Sequence, residues 1–172
     1  SIKSTIENVN RYCMKRIFIV LLPAAMLYSC STARITDLPK AATEVNFTQY
    51  ARDYREQPEP FWTSKTSNEY YFEKEKLLPE EKLQALIQEA LKEKGYAIKL
   101  VDTEGRHIVG KRGMQANEWG SLTGVYYNIS QEQKKIQLYI KTVITQDATG
   151  GWRENRAKKV ALVLEQKINA AG

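Results

Sequence analysis

Apolar and polar positions along this chain fall into three regimes, and their order predicts the architecture. Residues 17 to 28 form a short apolar run broken only by Pro23. From Ser31 to about Asn68 apolar residues are scattered without a period, and "REQPEPFW" (Arg55 to Trp62) brackets a glutamate with two prolines, which rules out a continuing helix there. From Glu69 onward the pattern becomes regular.

"EYYFEKE" (Glu69 to Glu75) has the aromatic content of a short strand. "PEEKLQALIQEALKEKG" then places Leu83, Leu86, Ile87, Ala90 and Leu91 on one helical stripe. Pro79 suits the first helical position, Glu80 and Glu81 the positive end of the helix dipole, and Gly95 a left-handed stop. Four strand patterns follow: Tyr96 to Asp102, His107 to Lys111 after the "DTEG" turn, Leu122 to Ile129 after the "GMQANEWG" loop, and Lys135 to Thr145 after "SQEQK". The last of these sets Ile136, Leu138, Ile140, Thr142 and Ile144 against Gln137, Tyr139, Lys141 and Val143. A final helix carries Ala157, Val160, Ala161, Leu164 and Ile168 on one stripe, with Arg153, Arg156, Lys158, Lys159 and Lys167 mostly outside.

This β-α-β-β-β-β-α order predicts an α+β two-layer sandwich, an antiparallel sheet with two helices on one face. The order resembles the TATA-box-binding-protein-like and helix-grip folds. Among lipoproteins it resembles the helix-grip domains of the C component of the outer-membrane β-barrel assembly machinery, over roughly residues 69 to 170 and by element order alone. Ferredoxin-like and other small α+β sheets fit the same order. If Ile98, Leu100, Ile136, Leu138 and Ile140 meet the helices, alternation sends Lys99, Val101, His107, Val109, Lys111, Tyr126, Tyr139, Lys141 and Val143 to the opposite, open face.

The first apolar run predicts a destination. Lys15 and Arg16 precede it, twelve helical residues span only about 18 Å, and a hydrocarbon core is about 30 Å thick. A charged start, a short apolar middle and a small-residue end are the parts of a secretory signal peptide. Leu27-Tyr28-Ser29-Cys30 resembles the lipobox of bacterial lipoproteins, with Tyr28 the departure from its usual small residues. That resemblance implies cleavage between Ser29 and Cys30 and acylation of Cys30. Residues 1–13 then read as an upstream extension, 14–29 as the signal peptide, 30–68 as a lipidated N-terminus and linker, and 69–172 as the folded domain. Phe61 and Trp62 are large for a linker and are expected to pack back on that domain.

Processing changes the charge. The chain has 26 Lys+Arg and 20 Asp+Glu, and removing Lys3, Arg11, Lys15, Arg16 and Glu7 leaves 22 against 19. An excess of about three does not point to nucleic acid. With Cys13 removed and Cys30 lipidated, no thiol remains for a disulfide, metal or nucleophile. His107 is the single histidine; beside Asp102 it has the makings of an acid/base pair, though Asp102 is better placed to hold the turn backbone. Scattered carboxylates, Glu73, Glu75, Glu104, Glu118 and Asp147, leave a glycan-cleaving pair formally open. There is no GxSxG, HExxH or phosphate loop, and no cofactor or metal is expected.

Two function classes follow. The first is a non-enzymatic envelope lipoprotein, outer-membrane anchored through Cys30 and acting as a binding or scaffold module. Its surface would be the open sheet face, Lys99, Lys111, Tyr126, Tyr139 and Lys141, with the Trp119 loop as a second contact, and its partner an envelope protein, an anionic lipid or a charged glycan. The second is an envelope hydrolase or small-ligand carrier with a site under the Trp119 loop.

Overall fold

A computed structural model describes residues 34–56, 67–113, 120–144 and 155–171, all within one compact unit, Thr32–Gly172. Cys30, Phe61, Trp62, Glu118, Trp119, Asp147 and Trp152 lie outside the described residues. Five strands, β1 (Ser67–Lys74), β2 (Ala97–Asp102), β3 (His107–Arg112), β4 (Ser121–Ser130) and β5 (Lys135–Ile144), form one antiparallel sheet in the order β1-β5-β4-β3-β2. Among the described residues three α-helices accompany it: α1 (Phe47–Asp53), α2 (Glu80–Glu93) and α3 (Arg156–Ala170). The architecture is the α+β two-layer sandwich that the periodicity predicts, with β1 paired to β5.

Helices α2 and α3 bury their apolar stripes against one face of the sheet. Leu83, Ile87, Leu91, Leu164 and Ile168 are fully buried against Ile108, Val125, Tyr127, Ile136, Leu138 and Ile140. Leu86 packs at the margin of this core. Pro79 caps α2 from just outside, and Gly95, at φ 80°, ends it in the left-handed conformation that costs glycine least. Arg156, expected outside, is buried at the start of α3, where its backbone N–H donates to Asn68 Oδ1 of β1 at 3.3 Å.

The expected linker is where the structure departs furthest from the periodicity. Residues 34–54 lie across the second face of the sheet as a strap of two single-turn 3-10 helices (Ile35–Asp37 and Ala42–Glu44) followed by α1. Leu38 packs on Val109, Leu122 and Val143; Ala42, Val45 and Phe47 pack on Tyr71, Tyr126 and Tyr139. The reason is the sheet itself: its second face carries too much apolar and aromatic area to be left in water. The strap's buried positions, Leu38, Ala42, Val45 and Phe47, are four, three and two residues apart, because 3-10 turns and a two-turn helix break the phase, so no single period marks them.

Strand β2 also departs from simple alternation. Ile98 pairs with Gly110 and Leu100 with Val109, so Lys99 is the extra residue of a bulge. Leu100 is therefore on the strap side with Val109, and Val101, opposite Ile108, is on the helix side, the reverse of the expected placement.

Candidate functional site

Register brings one row of side chains across all five strands on the strap face: Tyr71, Tyr139, Tyr126, His107 and Asp102. Tyr50 of α1 lies over the row, its ring 4.7 Å from that of Tyr139 and 5.9 Å from that of Tyr71. Tyr54 closes the β1 end, edge-on to Tyr70 and Tyr71. Tyr126 donates its hydroxyl to Pro39 O at 2.7 Å and so ties the strap to β4. Ala42 N–H donates to Gly105 O at 2.7 Å and ties it to the β2–β3 turn.

Hydroxyls in this row are satisfied by neighbours. Tyr50 donates to Glu69 Oε2 at 3.1 Å, and Tyr71 donates to Glu73 Oε2 at 2.9 Å while accepting from Gln137 Nε2 at 2.9 Å. Burial raises Tyr139 and Tyr126 far above the ordinary phenol value, helped by Glu69 and Glu44 respectively, and pushes Tyr71 up to about 12. Glu73 is held low: burial raises it, but hydrogen bonds from Lys135 and Tyr71 outweigh that and keep it ionised. Its partners make Glu73 a structural acceptor in a Lys135–Glu73–Tyr71–Gln137–Asn128 chain.

His107 is 2 % exposed and stacks on Tyr126. Its Nδ1 lies 3.5 Å from Asp102 Oδ2 without a hydrogen bond, while Asp102 Oδ1 accepts the Gly105 N–H at 2.8 Å. Asp102 thus holds the turn backbone. A side chain at Gly105 would run into the Asp102 carboxylate, which is why glycine occupies that position. The buried imidazole lies on the face the strap covers, closed to a substrate.

The expected binding face is therefore not an open surface. Tyr126 and Tyr139 are buried, and Lys141 is half-buried with its amine 3.9 Å from Glu69. Lys99 and Lys111 remain exposed. A shallow open groove of about 510 Å³ runs beside the strap, lined by Ala42–Thr48, Arg106, Tyr127 and Asn128. Its polar margin is already engaged: Tyr127 donates to Glu80 Oε1 at 2.8 Å and accepts from Gln84 Nε2 at 2.7 Å. Among the described residues no cluster of three His, Cys, Asp or Glu is placed to hold a metal, and no helix is long and apolar enough to cross a membrane.

No protein-family profile matches the chain, and no curated protein matches it in sequence.

Proposed function

We propose that this protein is a non-enzymatic lipoprotein of the bacterial cell envelope, a binding or scaffold module held at the outer membrane by acyl chains on Cys30. The observation that carries the reading is the strap. Only four peptide steps separate Cys30 from Arg34, where the described strap begins. An extended chain covers at most about 3.6 Å per residue, so the acylated cysteine would hold the strap within roughly 14 Å of the headgroups. The lipid would thus fasten a folded unit close to the bilayer, where a free tether would let it roam.

Other features support the same reading. The charged start, the short apolar run and the Leu-Tyr-Ser-Cys end are together the layout of a lipoprotein signal. The helix-side core is filled by fully buried Leu, Ile and Tyr side chains, and the strap side is filled by tyrosines, an interior suited to a scaffold. The element order resembles that of the outer-membrane assembly lipoproteins, whose role is scaffolding. Several acyl chains are needed for stable anchoring, since one gives only marginal binding.

The test is metabolic labelling with a tagged fatty acid. Wild-type protein is expected to carry the tag and to sediment with membranes; Cys30→Ala is expected to be untagged and released by a salt wash. Equal labelling of both removes the basis of the reading.

A further inference from the structure

We propose that the anchor-proximal end of the domain is a footing for anionic phospholipid headgroups, made by Arg34, Ile35, Lys99 and Lys111. The proposal rests on the reading of Cys30 as the acylated residue and adds to it which part of the domain meets the bilayer. The last described row of the strap face runs Ser67, Val143, Leu122, Lys111, Ala97. Leu38 sits on this end, against Val109, Leu122 and Val143. Arg34 and Ile35 precede Leu38 by a single 3-10 turn, closed by the Leu38 N–H to Ile35 O bond at 3.1 Å. Arg34 is exposed and Ile35 is 46 % exposed, so the strap begins with a cation and a large apolar side chain in water. Lys111 borders the Leu38 cluster on the sheet, and Lys99 is the bulge residue of the edge strand, two residues along β2 from Ala97 toward the middle of the sheet.

Pairing separates these lysines from the rest. Elsewhere on the sheet Lys135 meets Glu73, Lys141 meets Glu69 and Lys74 meets Glu165. Among the described residues no acid pairs with Lys99 or Lys111, and the one acid in the strap's first turn, Asp37, accepts the Arg34 backbone N–H at 2.7 Å. Of the lysines on the described strands, the two without an acid partner are thus Lys99 and Lys111, on the β2–β3 side of the sheet.

The chemistry favours lipid over a protein partner. Protein interfaces are depleted in lysine and centre on packed aromatic anchors, and the tyrosines of this face are buried. Lysine is a compact, hydrated point charge on a flexible stem, suited to a diffuse layer of phosphates, and an adjacent exposed isoleucine suits the interfacial zone.

The test is amine-reactive footprinting of the full chain purified from membranes and reconstituted into vesicles of phosphatidylcholine alone or mixed with phosphatidylglycerol. Intact mass shows first whether Cys30 carries acyl chains, so failure of the anchor reading is seen separately. With phosphatidylglycerol present, modification of Lys99 and Lys111 is expected to fall severalfold, and high salt is expected to restore it. Lys134, exposed in the turn at the opposite end of the strands, is expected to react equally in both vesicles. Equal modification of Lys99 and Lys111 in both vesicles overturns the proposal. So does protection found in native membranes but absent from phosphatidylglycerol vesicles, which would assign the surface to a protein.

Discussion

The His107 ring lies flat against that of Tyr126, centroids 5.4 Å apart and planes within 4°, as direct register partners on β3 and β4. Both rings lie in the row that the strap covers, and Tyr126 holds the strap through Pro39. The imidazole therefore acts here as a flat packing surface. His107→Phe is expected to keep the stack and the fold, whereas His107→Ala is expected to cost at least about 1 kcal/mol, since such ring pairs contribute about 0.5–1.5 kcal/mol beyond their burial. Urea unfolding of both variants distinguishes them; equal loss in the two would give the imidazole's polarity a role that stacking does not.

The strap is expected to be indispensable. Phe47→Ala removes a buried ring from the cluster of Ala42, Val45, Tyr71, Tyr126 and Tyr139 and should cost about 3–5 kcal/mol. A fragment starting at Arg34 should unfold cooperatively, and one starting at Glu69 should aggregate or bind a hydrophobic dye. A well-behaved monomer starting at Glu69 would show that the strap adds little.

Gly124 is expected to resist substitution. A methyl group there would sit 2.7 Å from the Tyr126 hydroxyl, on the same face. Gly124→Ala should push the ring, break its bond to Pro39 and cost about 1–3 kcal/mol. Thermal melts check the cost, and faster amide exchange at Ala42 would show that the strap has loosened.

Alkali should unfold the protein by way of its tyrosines. Burial raises Tyr139 and Tyr126 the most and takes Tyr71 and Tyr54 to about 12, against an ordinary value of 10.0. Above pH 10 the unfolded chain loses phenol protons that the folded chain retains, so stability falls as pH rises. The tyrosine contribution is complete below about pH 10 and is lost progressively as pH passes through 12. Tyrosinate absorbance should rise in one cooperative step with loss of circular dichroism; gradual independent titration would contradict it.

The sheet and both long helices were legible because each buries one face and exposes the other, which prints a period into the sequence. Ile136, Leu138 and Ile140 fall on the helix side as alternation requires. Two features escaped that logic. The bulge at Lys99 inserts one residue, so Leu100 and Val101 exchange sides although the letters still alternate. The strap carries the pattern of a linker because its buried residues, Leu38, Ala42, Val45 and Phe47, are carried by turns too short to show a period. One signal was available: Tyr126, Tyr139, Val109 and Val143 sit on alternate positions of the predicted open face, more apolar area than a solvated sheet presents. With the strap hidden from the periodicity, that face has the pattern of an open binding surface, whereas Tyr126 and Tyr139 are buried beneath the strap.

A clasp that comes before the sheet in the chain must wait for strands that come well after it. Tyr50 rests on Tyr139, and Leu38 packs with Val143, contacts that close loops of about a hundred residues. If the chain emerges N-terminus first, the strap has nothing to close on until β4 and β5 have paired. Until then the aromatic row is bare. The interval between completing the sheet and closing the strap is when this protein is most exposed to self-association, and it is the interval in which a chaperone would have something to hold.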